Sequence, residues 1–159
     1  MERETLISAM KTSISEVLET MFFLPIDFSD AAGVEEHWEA GKAELVTAKI
    51  KFKGPFSGYF VFVIPMELAL STTAGFLGQE EEGVSKDHAH ETVKEIANMV
   101  AGNTFSHYDD QAIFDLGIPE LLQPSERLEN YQSSGDQIFI ACDTLDDRLA
   151  FQMVLGTDS

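Results

Sequence analysis

Glu95 and Asn98 are the two residues whose types and spacing best suit chemistry. They lie in the stretch Glu91–Phe105, ETVKEIANMVAGNTF, where helical spacing places their side chains one turn apart and pointing outward together. Asn is a poor residue for a helix interior because its amide competes for backbone hydrogen bonds. A carboxamide both donates and accepts hydrogen bonds, and a carboxylate accepts them, so the two side by side ask for a reason. The plain alternative is a solvated helix face, since most exposed polar pairs do no chemistry.

The apolar residues between and around Glu95 and Asn98 predict the helix that positions this pair. These residues recur at i, i+3, i+4, i+7 and i+8, the spacing of one buried face: Val93, Ile96, Ala97, Val100 and Ala101. Glu91 and Gly102 fall on the opposite, outward face with Glu95 and Asn98. Ser85 or Asp87 is the predicted N-cap of this helix.

The run from Glu95 to Asn103, EIANMVAGN, resembles the E-x-x-N helix of the CheC/CheX family of chemotaxis response-regulator phosphatases. It is closest to the single-motif CheX branch. The resemblance implies an enzyme that hydrolyses the aspartyl phosphate of a CheY-type response regulator. By the same resemblance, Glu95 pairs with a Lys of the regulator and Asn98 orients the attacking water. Glu91, Met99 and Gly102 are the neighbouring candidates for binding the partner.

The resemblance also implies that the chain carries no metal or cofactor of its own. A divalent metal, expected to be Mg²⁺, belongs to the site of the phosphorylated regulator. This division of labour is physically reasonable, because phosphoryl transfer depends more on positioning and charge stabilisation than on covalent help.

Two other functions stay open from the residues alone. In the first, the same ridge docks a response regulator or a flagellar-switch component without catalysis. In the second, the chain is an independent metal hydrolase with His88 and His90 as ligands. Because two residues at i and i+2 on a helix face roughly opposite directions, these histidines cannot share an ion without help.

The composition excludes several classes of function. Ten basic residues against 28 acidic ones give a net charge of −18 over 159 residues, which repels nucleic acid and anionic membranes and favours a partner presenting Lys or Arg. No apolar run has membrane-spanning length, and no signal peptide is evident, so a cytoplasmic protein is expected. The single cysteine, Cys142, rules out an internal disulfide and is interpreted as a small buried hydrophobe.

The element order predicts a single α/β (α+β) domain over residues 1–159, with a mostly antiparallel sheet and helices packed on one face. The stretch Asp27–Gly41 and the connection around Leu116–Pro119 are predicted to be irregular. The predicted helices besides the motif helix are Leu6–Phe23 and Pro65–Leu77, and the predicted strands are Ala43–Phe52, Phe56–Ile64, Gln137–Asp143 and Leu149–Leu155.

A faint internal repeat relates the first helix to the motif helix. Glu16–Met21 aligns with Glu95–Val100, and Glu19 then stands at the position of Asn98. The resemblance implies that such proteins consist of two halves, of which the CheX branch keeps one working motif. It also implies a homodimer formed through a sheet edge, for which the strands ending near Asp143 and Leu155 are the candidates.

Overall fold

The computed structural model describes residues 2–29, 44–122, 136–145 and 147–156. In this part of the chain the helices are α1 (Arg3–Ser15), continued by a π-helical turn (Glu16–Met21), α2 (Met66–Leu77), a short 3₁₀ turn (Glu81–Gly83) and α3 (Lys86–Tyr108). The strands are β1 (Asp27–Ser29), β2 (Leu45–Lys53), β3 (Gly58–Pro65), β4 (Asp115–Leu116), β5 (Glu120–Leu121), β6 (Gln137–Asp143) and β7 (Arg148–Leu155).

The strands form one antiparallel sheet in the order β1-β6-β7-β3-β2-β4, with β5 also pairing with β2. One face of this sheet packs against all three helices in a common hydrophobic core. Alternation along β2 turns Val46, Ala48, Ile50 and Phe52 toward that core. The predicted fold class, an antiparallel sheet with helices on one face, is confirmed.

The sheet contains an internal two-fold relation that matches the faint sequence repeat. Exchanging β1 with β4, β2 with β6 and β3 with β7 leaves the strand order unchanged. The register follows the same rule, because the pair Asp27 and Asp143 at one end corresponds to the pair Asp115 and Lys53 at the other. Each half of the chain therefore supplies its first short strand to the other half's hairpin, and α2 connects the two halves.

The structure corrects the sequence prediction at the short strands. Asp27–Ser29 is a strand and not a loop, while residues 30–41 of that predicted loop lie outside the described residues. The connection after α3, predicted to be irregular, contains β4 and β5. Strands of two or three residues show no alternation that a sequence could display, so only their partners in the sheet define them.

Candidate functional site

Helix α3 is built to hold one face in the core and the other in solvent. It begins at the N-cap Ser85, whose hydroxyl accepts a hydrogen bond from the backbone N–H of His88 at 3.1 Å, as one of the two predicted caps requires. The predicted buried residues Val93, Ile96, Ala97, Val100 and Ala101 are all fully buried. This fixes the rotation of the helix and therefore the direction of its outer face.

Glu95 and Asn98 stand together on that outer face, as the sequence predicted. Glu95 is exposed and Asn98 is half-buried. Within the described part of the chain, neither side chain forms a hydrogen bond or an ion pair. Two other polar residues of α3 behave differently, since the hydroxyls of Thr92 and Thr104 donate to carbonyls one turn earlier, at 3.1 and 2.7 Å. The carboxylate and the carboxamide are thus available to a partner.

The three predicted binding residues differ in how freely they face outward. Glu91 is exposed, and its carboxylate pairs with the Lys94 ammonium at 2.7 Å. Met99 is half-buried and packs against the hydrophobic core. Gly102 is also half-buried, and a Cβ added there would lie 3.6 Å from Cδ1 of Leu116, an ordinary contact with β4. Of these three, Glu91 is the most exposed neighbour of the Glu95–Asn98 pair.

A second polar cluster joins the end of α3 to the first helix, and the sequence analysis did not find it. The Glu16 carboxylate accepts a hydrogen bond from the Asn103 amide at 2.8 Å and lies 3.1 Å from Nε2 of His107. The hydrogen bond from Asn103, and then the one with His107, lower the pKa of Glu16 below its ordinary value. The internal repeat contained the clue, because Glu16 is the counterpart of Glu95.

The two histidines considered as metal ligands lie in the first turns of α3, where His88 is exposed and His90 is half-buried. Across the described ranges, no three His, Cys, Asp or Glu side chains come together in a way that could hold a metal ion. A cleft of about 400 Å³ lies elsewhere and is lined by Glu4, Thr5, Ser8, Ala9, Thr12 and His107. The Glu95–Asn98 pair is on a helix ridge, a shape that suits contact with another macromolecule.

Cys142 lies fully buried in β6, as the sequence predicted. Burial, with a smaller contribution from the neighbouring Asp143 carboxylate, raises the pKa of its thiol to about 12. The thiol is therefore protonated at neutral pH and is a poor nucleophile. None of the helices in the described residues has the length and apolar character needed to cross a membrane.

Comparison with solved structures places this architecture among chemotaxis proteins. The chemotaxis protein CheX from Vibrio vulnificus superimposes with a TM-score of 0.74 at 18% identity, covering 95% of this chain and 96% of that one. A CheC-like superfamily protein from Shewanella sp. PV-4 gives 0.73 at 18% identity, covering 99% and 100%. A structure of the CheX–CheY–BeF₃–Mg²⁺ complex from Borrelia burgdorferi gives 0.68 at 17% identity, covering 95% and 97%. At these identities the similarity establishes the fold.

The fold is the one found in the CheX and CheC-like chemotaxis proteins. Residues 46–143 match the family model described as chemotaxis phosphatase CheX, and the chain belongs to that family. This confirms the family to which the E-x-x-N run was assigned. No curated protein sequence matches this chain.

Proposed function

We propose that this protein accelerates hydrolysis of the aspartyl phosphate of a CheY-type response regulator, with Asn98 orienting the attacking water and Glu95 pairing with a Lys of the regulator. The observation that carries the proposal is the pair itself: a carboxylate and a carboxamide on one ridge, both without a partner among the described residues. Membership of the CheX family and the CheX–CheY complex of a structural relative support the choice of partner.

Asn98 suits the water-orienting role because its amide is neutral. The carboxamide can accept a hydrogen bond from water and donate another to a phosphoryl oxygen. A carboxylate at this position would repel the incoming phosphoryl group. Holding the water in line with phosphorus lowers the barrier by positioning, which is the main protein contribution to phosphoryl transfer. The regulator's own site supplies a divalent metal, expected to be Mg²⁺, that stabilises charge on the phosphoryl group.

Glu95 suits the binding role because it is exposed, charged and one turn away from Asn98. A carboxylate there attracts a cationic side chain without entering the reaction. The net charge of −18 adds a longer-range attraction toward any basic surface around the regulator's site. The phosphorylated regulator is a cytoplasmic protein, so we place this chain in the cytoplasm as well.

The test is the rate of phosphate loss from a regulator charged with acetyl phosphate, with and without this protein. Asn98→Ala should lower the maximal rate by about a hundredfold or more while leaving complex formation nearly unchanged, because the interaction is needed in the transition state. Ser106→Ala, at an exposed position further along α3, is the matched control and should keep the wild-type rate. If Asn98→Ala accelerates phosphate loss as much as the wild type does, Asn98 does not orient the water. If the wild type binds the regulator and leaves the rate of phosphate loss unchanged, the non-catalytic docking module becomes the better account.

We also propose a homodimer formed through a sheet edge. Of the two strands predicted to supply that edge, one is still a candidate. The strand ending at Leu155, β7, pairs with β3 on one side and β6 on the other, so that predicted edge is wrong. Strand β6 pairs with β1 only over Ala141–Asp143, which leaves the start of β6 without a described neighbour on that side. Light scattering at micromolar concentration should give a dimer mass, whereas a monomer mass would contradict the proposal.

A further inference from the structure

Four large apolar side chains are exposed where the first helix and α2 end. The exposed fractions are 44% for Met21, 73% for Phe23, 49% for Phe76 and 45% for Leu77. The rings of Phe22 and Phe76 are in contact, with centroids 4.7 Å apart, and this contact joins the two helix ends. We call these four exposed side chains the Phe23 patch. A cluster of this kind on a water-soluble surface marks an interaction site.

The backbone holds Phe23 in an unusual conformation. Its φ is 57°, in the left-handed region, where a glycine is the usual residue at a helix end. The N–H of Leu24 donates to the carbonyl of Leu18 at 2.8 Å and closes the helix around this residue. The chain thus accepts strain to place a phenylalanine in solvent, which is the kind of cost found at functional positions.

The helix contacts indicate toward which part of α3 the Phe23 patch lies. The first helix starts at the end of α3, where the N–H of Glu2 donates to the Tyr108 hydroxyl at 2.9 Å. It next meets Asn103 through Glu16, and it finishes where Phe22 contacts α2. The patch therefore lies toward the part of α3 that precedes Asn103, the part that carries the motif.

The two-fold relation leads to the same placement. Beside Glu16 lie Asn103 and His107, from the last turns of α3. The first helix ends at Met21, the counterpart of Val100, so within the described residues it has no further turns that correspond to those carrying Asn103 and His107. By the two-fold relation, the chain that follows Met21, which includes Phe23, runs toward Glu95 as the chain that follows Val100 runs toward Glu16. Among the described residues, Glu16 is therefore bonded to the last turns of α3, whereas the segment related to those turns carries the exposed Phe23.

We propose that the Phe23 patch is the surface on which the receiver domain of the response regulator docks while its phosphorylated carboxyl group reaches Asn98. This inference rests on the proposed function and adds the contact that supplies affinity. Four exposed carboxylates are close to the patch in sequence: Glu19 in the π-helical turn, and Glu80, Glu81 and Glu82 just after α2. The matching partner surface is therefore an apolar group ringed by Lys or Arg, next to the phosphorylation site.

The test is a titration of this protein with a CheY-type receiver domain treated with beryllofluoride and Mg²⁺, followed by steady-state phosphate release. Phe23→Gly should weaken binding about tenfold, because it removes a buried aromatic contact. Since glycine relieves the left-handed strain, this variant should keep its thermal stability. The loss should appear in KM, whereas the loss in Asn98→Ala appears in kcat. Phe76→Ser is a second patch variant with the same expected direction.

Ile113→Ser is the matched control, since Ile113 is 80% exposed and lies just beyond α3, on the other side of the two-fold. It should bind like the wild type. Unchanged binding by folded Phe23→Gly and Phe76→Ser would overturn the docking surface and leave the phosphatase proposal standing. Wild-type protein that binds through the patch and releases no phosphate would overturn the phosphatase proposal alone. A wild-type protein that does not bind the receiver domain would overturn both.

Discussion

The first helix with its π-helical turn and the motif helix α3 occupy equivalent places in the two halves of the molecule, yet their acidic residues differ. Glu16, the counterpart of Glu95, is held by Asn103 and His107 at 2.8 and 3.1 Å. Glu95 has no bonded partner in the described part of the chain. The difference arises from helix length. Helix α3 continues to Tyr108, whereas the first helix ends at Met21, so only Glu16 meets side chains from the last turns of the other helix.

The π-helical turn is a second difference between the halves. It spans Glu16–Met21, the segment that aligns with the motif. A π-helix closes its hydrogen bonds at i→i+5, so it turns residues three apart through a different angle than an α-helix does. Glu16 and Glu19 are consequently not presented as Glu95 and Asn98 are. With a carboxylate in place of the amide, the first half has neither the geometry nor the charge for the proposed chemistry.

The largest effect that separates the halves should come from a buried charge. Val100 is fully buried on the inner face of α3, while its counterpart Met21 is 44% exposed. We expect Val100→Asp to abolish the cooperative thermal unfolding transition, because an unpaired carboxylate in the core costs several kcal/mol. Met21→Asp should keep the transition. A Val100→Asp protein with a wild-type melting curve would contradict the rotation of α3.

A smaller effect is expected from the carboxylates that face solvent. Glu95→Ala should weaken the complex with the phosphorylated regulator by about tenfold and flatten its salt dependence, since a charge pair is lost. Glu91→Ala should be milder because that carboxylate already pairs with Lys94 at 2.7 Å. Glu16→Ala should leave binding unchanged. Binding is measured by titration at low and high salt. An equal loss of affinity in all three variants would show that Glu95 has no special role in binding the regulator.

Sequence periodicity predicted the long helices and strands well, but it could not predict the short strands or the contacts and conformations at the helix ends. The buried face of α3 and the strand Gln137–Asp143 follow from local spacing and are confirmed. The position of Glu95 and Asn98 on the outer face of α3 also follows from spacing, and their role stays a prediction. The short strand β1 and the bonding of Glu16 to Asn103 depend on residues distant in sequence. The left-handed conformation of Phe23 could not be predicted from the sequence, because glycine is the usual residue there. It is evident only from the hydrogen bond that closes the helix around Phe23.

The smallest effect concerns the bonded carboxylate of the first half. Asn103, and then His107, lower the pKa of Glu16 below its ordinary value of 4.5. Since the folded protein holds this proton less tightly than the unfolded chain, the stabilisation is fully present above pH 4.5 and is lost as the pH falls through the lowered pKa. The group is exposed and screened, so its contribution to the free energy of unfolding is less than about 1 kcal/mol.

Urea unfolding of wild type and Glu16→Gln at several pH values measures this contribution. Glu95→Gln is the matched control, because it removes the same charge without removing a described hydrogen bond. We expect wild type to be the more stable above pH 4.5 and the gap to close at lower pH; a gap that widens as the pH falls would show that Glu16 is not stabilised as a carboxylate.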